Sequence, residues 1–263
     1  MKKYWAIFKI SWQRQLTYRL NLLMGRLRNI IVLLLLYYVW LSLTLTSGKF
    51  SSYSQIELFT YVFGANLLRS VIFGSQSRQT ASEINDGTFS IYLLRPLNHF
   101  GAVFARELAE RSLYLFFAVI ETLVLAFLLG VKFAAPAPAT LSPIILCVLL
   151  SLCLYFVLSY LVSMLAFWTR EADGPRFLFE WLLEFSSGAY FPLDILRGLI
   201  FTALSCLPFF YLIYFPLSIY LGKIAHGRIW LGLGIETAWL ALSLWLIYVV
   251  WRRGLKKFTG EGI

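Results

Sequence analysis

FLFEWLLEFSSGAYFPLDILRGLIFTALSCLPFFYLIYFPLSIYL, residues 177–221, is an apolar run interrupted by Pro192, Pro208 and Pro216. It is far longer than the roughly 20 residues an α-helix needs to cross about 30 Å of hydrocarbon. How many times this stretch crosses decides the fold, because the charges elsewhere in the chain restrict the total. The 263 residues are 60% hydrophobic, 18% aromatic and 14% charged, with a mean hydropathy of +0.75. That composition lies outside the soluble globular range and makes lipid the main solvent.

Five other runs are long enough to span: Ile30 to Thr46, Ile56 to Ser75, Ser112 to Val131, Leu141 to Trp168 and Ile229 to Trp251. Ahead of the first stand Lys2, Lys3, Lys9, Arg14, Arg19, Arg26 and Arg28 with no acidic residue among them, which holds that end in the cytoplasm by the positive-inside rule. The first span is then a signal anchor; no small-residue cleavage pattern follows it. The breaks Gln76 to Arg111 and Thr169 to Arg176 are richer in Lys and Arg than Ser47 to Gln55 and Lys132 to Thr140, so the sides alternate. Arg252, Arg253, Lys256 and Lys257 place the C-terminus in the cytoplasm as well, and the number of crossings must be even. Phe177 to Phe191 therefore crosses as a fifth span. Leu193 to Leu221 dips in and returns as a re-entrant helical hairpin marked by Gly188, Pro192, Pro208 and Pro216. Such backbone is tolerated at membrane depth only where it is packed in protein or beside a wet cavity.

The expected architecture is all-α and integral to the membrane, a single domain over residues 1–263 with six transmembrane helices. Residues 1–28 form an interfacial arm, 76–111 a cytoplasmic loop, and 193–221 the hairpin. On the arm, Trp5, Phe8, Trp12 and Leu16 fall within about 80° of one another on a helical wheel, as an interfacial helix requires. A poorly ordered basic tail is the alternative. The net charge of +10 is read as topology, because the cations flank apolar runs and form no soluble basic face for nucleic acid.

Chemistry is sparse. The sequence has no G-x-x-x-x-G-K-[ST] loop to cradle a nucleotide's phosphates, no nucleophile elbow and no H-E-x-x-H zinc motif. Cys147, Cys153 and Cys206 lack metal-ligand spacing and read as packing residues. His99 and His226 stand without a nearby carboxylate in sequence. No catalytic or metal site is expected.

The loop segment TASEINDGTFSIYLLRPLNHF, Thr80 to Phe100, is the most informative. Ser82 is a candidate N-cap, Gly87 interrupts, Phe89, Ile91, Tyr92, Leu93 and Leu94 supply an apolar surface, and Pro96 ends any helix. That surface must be buried in the membrane face or in a groove on a partner. The pattern E-I-x-x-G-T-x-x-x-x-L-L-R-P-L, set by Glu83, Ile84, Gly87, Thr88, Leu93, Leu94, Arg95, Pro96 and Leu97, resembles the permease subunits of ABC-2 type ABC exporters. The likeness is greatest to the short six-span branch, whose permeases often occur as pairs of distinct subunits. Its order of elements is also similar: an amphipathic arm, six spans, and a broken hairpin after the fifth, here Gly188 to Leu193 with Leu207-Pro208 and Phe215-Pro216.

The resemblance implies a transport subunit with no ATPase site of its own. Glu83, Ile84, Gly87, Thr88, Phe89, Leu93, Leu94 and Pro96 would belong to a coupling helix seated in a separate ABC ATPase, which binds ATP and Mg. A second permease, identical or distinct, would complete the assembly in a bacterial or archaeal cytoplasmic membrane and export an amphipathic or hydrophobic substrate. The alternatives are a stand-alone secondary transporter or channel and an intramembrane enzyme. Arg69, Glu121, Glu180, Glu184 and Glu236 are ionisable residues within spans, which mark partners or a wet path. Arg69 and Glu121, on adjacent antiparallel spans, are positioned to pair. Glu180 and Glu184 share one helical face. They either line a translocation path that favours a cationic or polar group, or pair with Arg170, Arg176 or a partner subunit.

Overall fold

A computed structural model describes residues 2–45, 48–94 and 97–258. In chain order the helices and strands are α1 (Lys2–Thr17), α2 (Arg19–Thr44), β1 (Lys49–Phe50), β2 (Tyr53–Ser54), α3 (Gln55–Ile72), α4 (Gln76–Asn85), α5 (Phe89–Leu94), α6 (His99–Leu128), α7 (Leu141–Ser163), α8 (Asp173–Ser186), α9 (Leu199–Ser205), α10 (Tyr214–Tyr220) and α11 (His226–Leu255). Short 3-10 turns lie at Met164–Phe167, Leu193–Ile195 and Pro208–Tyr211. Five segments are long and apolar enough to cross a bilayer: α2, α3 continued by α4, α6, α7 with its flanking turns, and α11. This is an all-α membrane protein, with, among the described residues, a short antiparallel ribbon of two-residue strands β1 and β2 besides.

Three of these segments, Gln55–Asn85, His99–Leu128 and His226–Leu255, have 31, 30 and 30 residues and so extend about 45 Å, well beyond a hydrocarbon core of about 30 Å. Their polar excess falls at one end of the bundle, where α4, the Arg106–Arg111 turn of α6 and Arg252 and Arg253 of α11 lie. Both described ends of the chain lie there too. The Tyr4 ring meets Gly101 at the start of α6, and Phe258 packs edge-on to Phe89 at 5.3 Å. At the opposite end, Ser54 and Glu57 form a capping box that starts α3, a signal already present in the spacing Ser54-x-x-Glu57.

α3 and α7 form the enclosed centre, with α2, α6 and α11 outside them. The largest apolar cluster joins α3 and α7 to α10, α11 and the Pro208–Tyr211 turn through Tyr61, Leu68, Leu154, Phe210 and Leu233. Close approach is permitted by glycine: a Cβ on Gly232 would lie 2.1 Å from the Phe215 ring, and one on Gly64 2.7 Å from Leu217.

Leu199–Ser205 and Pro208–Tyr220 are bent 79° from one another, the break falling at Leu207-Pro208. Both flanks of this bent pair return to the β1–β2 turn: Arg197 donates to Ser51 Oγ at 3.4 Å, and Lys223 donates to the Ser52 carbonyl at 2.8 Å and pairs with Glu57 at 2.9 Å. Gly188, at φ +80°, closes α8 in a conformation costly for other residues, and its carbonyl accepts from Tyr61 at 2.6 Å. The expected fifth span, Phe177 to Phe191, differs in extent. α8 has 14 residues and is about 21 Å long, because the backbone turns at Ser187-Gly188 and Pro192 begins a 3-10 turn.

Candidate functional site

The α4–α5 elbow is built from inside the bundle. Ser82 lies within α4 and does not start it, contrary to the N-cap expected from sequence. The start lies at Gln76, where the cap is supplied by another helix: Glu110 accepts from the Ser75 N–H at 3.1 Å and its hydroxyl at 2.6 Å, and Glu107 accepts from the Gln76 N–H at 3.1 Å. Two carboxylates thus meet the orphan donors and positive dipole end of α4. Arg111 pairs with Glu107 at 2.5 Å, one helical turn along α6. The Gly74 carbonyl accepts from Tyr155 at 2.7 Å.

At the far end of α4, Asp86 to Thr88 turns the chain, with Gly87 at φ +72°. Glu83 points inward. Its oxygens accept from Arg106 at 2.7 Å and from His99 Nε2 at 2.9 Å. His99 Nδ1 lies 2.9 Å from the Tyr160 hydroxyl, so a neutral ring that donates to Glu83 accepts from Tyr160. His99, which stands alone in sequence, therefore has a carboxylate sixteen residues away as its partner. Removing one member of a buried ion pair of this kind costs about 3–5 kcal/mol. A second polar cluster ties α4 to α7 and α8: Arg176, buried, donates to Ser163 at 2.9 Å and Ser159 at 3.1 Å, and Ser77 bonds Ser159 at 2.6 Å.

The residues expected to dock a partner divide into two sets. Phe89 is 0% exposed and lies among His99, Phe167, Trp251 and Phe258, and Ile84 and Glu83 are buried beside it. These three support the elbow and present no outer surface. Leu93 and Leu94 are exposed, Leu94 at 87%, as is Ile91. Thr88 bonds the Glu83 carbonyl at 3.3 Å across the turn. Arg95 and Pro96 lie outside the described residues.

On the arm, α1 packs its Tyr4, Ile7, Ser11 and Gln15 side toward α6, while Trp5, Trp12 and Leu16 remain exposed on the neighbouring face and Phe8 stacks on Trp5 at 5.1 Å. Of the residues within spans, Arg69 bonds Glu184, so the pairing with Glu121 is not formed. Glu121 instead accepts from Asn29 at 3.0 Å, with Arg26 at 3.7 Å. Side-chain reach decides this: Asn29 of α2 takes Glu121 of α6, and Glu184 of α8 takes Arg69 of α3. Glu180 meets Arg78 at 2.7 Å and Arg176 at 2.9 Å. Glu236, 0% exposed, accepts from Ser151 at 2.8 Å and Cys147 at 3.3 Å, and so draws Cys147 into a polar contact. Arg106, Glu107, Glu110 and Arg111 were hidden within a loop in the sequence reading. Their signal is the R-E-x-x-E-R run of residues 106–111, whose i,i+4 charges are helical.

At the opposite end, Asp194 accepts from Tyr53 at 2.9 Å. Burial pushes the Asp194 carboxyl above the usual carboxylate range, against the opposing pull of the Tyr53 hydrogen bond and Lys223.

These features describe a multi-pass helical membrane protein with an elbow whose polar contacts hold one helix, α4, against three others, α6, α7 and α8. Residues 27–262 match the family model described as ABC-2 family transporter protein, and the chain belongs to that family. It is thus the membrane component, or permease, of an ABC transporter, a family whose membrane part is not itself catalytic and implies an ABC ATPase partner. No curated protein matches the chain.

Proposed function

We propose that this chain is the permease of an ATP-driven exporter, and that the α4–α5 elbow receives the stroke of a separate ATPase subunit that binds ATP and Mg. The observation that carries this is the elbow's two-sided build. α5 offers Ile91, Leu93 and Leu94 outward while Glu83, Phe89 and Ser77 lock the same elbow to α6, α7 and α8. A displacement imposed on the exposed side is then delivered to three helices at once, as coupling between two packed states requires.

In this reading the end bearing both described ends of the chain faces the cytoplasm, α2, α3, α6, α7 and α11 make five crossings and α8 with the segment that follows it to Phe191 the sixth, and Leu193–Leu221 is a re-entrant hairpin in the outer half of the membrane. The meeting of both its flanks at the β1–β2 turn supports that path. The exposed aromatic face of α1 would lie along the inner surface. Exposed Phe177, Trp181 and Phe185 on α8 would meet a second permease, identical or distinct. A bacterial or archaeal cytoplasmic membrane is the setting.

The test is affinity purification of the chain from its native membrane in mild detergent. Co-purification of a Walker-motif ATPase, with ATP hydrolysis by the complex, is expected. Transport by the purified chain alone under an ion gradient would establish a secondary transporter or channel instead.

A further inference from the structure

A cavity of about 360 Å³ opens between α2, α3, α6 and α8 beside the polar end of the bundle, with Arg26, Arg28, Arg69 and Arg78 in its walls. The two acidic residues that also line it, Glu180 and Glu184, are already engaged: Glu184 by Arg69 and Tyr190, and Glu180 by Arg78 and Arg176. Glu121, behind the wall, holds Asn29 and stands 3.7 Å from Arg26. Arg28 is exposed and, among the described residues, has no carboxylate partner. Arg26, whose side chain is 12% exposed, lies over the Tyr114 ring at 4.5 Å and makes no hydrogen bond through Nε or Nη1. Four arginines against two engaged carboxylates leave the cavity wall net positive, and a phosphoryl group supplies acceptors in the geometry an arginine fork matches.

The geometry points to an anion site for a phosphoryl group in this cavity, held by Arg28 and Arg26. Its position at the boundary between the apolar run of α2 and the charged end of the bundle is headgroup depth. The α2 residues Leu27, Ile31 and Leu35 leave an exposed apolar track beside it that suits acyl chains. The charge preference is therefore opposite to the cationic one that Glu180 and Glu184 suggest when read without their partners. That the occupant is cargo rests on the permease reading above; that the cavity binds an anion does not.

The experiment uses the purified full chain in mixed micelles, measuring retention of fluorescent phosphatidylglycerol against the equivalent phosphatidylcholine, with inorganic phosphate as competitor. Preference for phosphatidylglycerol is expected, reduced about tenfold in Arg28→Ala, the loss expected for a charge-assisted hydrogen bond. It should be unchanged in Arg252→Ala, an exposed cation at the same end but outside the cavity. Failure of inorganic phosphate to compete identifies a lipid headgroup as the source, and competition at equal concentration identifies free phosphate; both support the site. Equal retention of the two lipids, an unaltered Arg28→Ala, or an equal loss in Arg252→Ala overturns it. No ATPase is needed. Anion preference without a co-purifying ATPase removes only the transport role, and a complex with an ATPase but no preference removes only the site.

Discussion

Phe89 and Leu94 are five residues apart on one elbow, and truncating each should damage a different property. Phe89 is fully enclosed, with ring centroids of His99, Phe167, Trp251 and Phe258 between 4.9 and 5.7 Å away. Phe→Ala in such a core costs about 3–5 kcal/mol, through lost burial and the cavity left behind. Spread over a chain of this size, that lowers the unfolding midpoint by roughly 6–20 °C. Leu94, at 87% exposure, gives up almost no internal contact, so Leu94→Asp should stay within about 0.5 kcal/mol of the parent. On the proposed docking surface, however, a buried, unpaired carboxylate would weaken the complex severely.

Thermal unfolding in detergent and ATPase recovery from a tagged chain, measured on both variants, separate the two effects. Expected are a destabilised Phe89→Ala and a stable Leu94→Asp that recovers little ATPase. A Phe89→Ala midpoint within 1–2 °C of the parent would refute the enclosed packing of the elbow. Undiminished ATPase recovery with both Leu93→Asp and Leu94→Asp would refute α5 as the docking surface. Phe89→Asp cannot serve for this purpose, because it would lose the ATPase by disrupting the elbow itself.

Gly74→Ala should lower the midpoint by the equivalent of about 1–3 kcal/mol, because its Cβ would stand 1.7 Å from Glu107 Oε1 and 1.9 Å from Arg111 Nη2, in a pair too enclosed to move freely. Wild-type stability in this variant would contradict the α4 cap. Asp194→Asn probes pH. A carboxyl whose folded pKa is raised binds protons more tightly when folded, so stability falls as pH rises from the usual carboxylate range through that raised value. The amide keeps an acceptor for Tyr53 and removes the buried charge. The variant should therefore match or exceed the parent at neutral pH and lose that advantage in acid, which midpoints measured from pH 4 to pH 7 will show. An advantage that grows in acid would contradict the burial.

Long apolar helices are legible in sequence because lipid imposes a length and an apolar surface on every residue of a span, and α2, α3, α6, α7 and α11 each contain most of an expected run, although α2 starts at Arg19 and not Ile30, and α6 at His99 and not Ser112. The capping box at Ser54 and Glu57 is an equally local signal, although it did not enter the sequence reading. α8 was harder to delimit. Its apolar pattern continues to Phe191, while the backbone turns earlier at Gly188, where Tyr61 of another helix takes the carbonyl.

The elbow shows where local information ends. Its apolar residues and its break at Gly87 are visible in the sequence of Thr80 to Phe100, as is the likeness that led to the ABC-2 family. Nothing in that stretch separates buried Phe89 from exposed Leu94, because both are large and apolar and the division depends on where Trp251 and Phe258 arrive from the other end of the chain. His99 seemed unpartnered for the same reason; for Glu180 and Glu184 the sequence offered either a polar path or pairing with Arg170, Arg176 or a partner subunit, and the fold answers them with Arg69, Arg78 and Arg176. Composition and charge asymmetry by themselves determined a helical membrane chain, since those are sums over residues. Helix rotation and packing alone decided which charges cancel, which leave Arg28 unanswered, and which face of the elbow looks outward, because each of these depends on contacts between residues far apart in the chain.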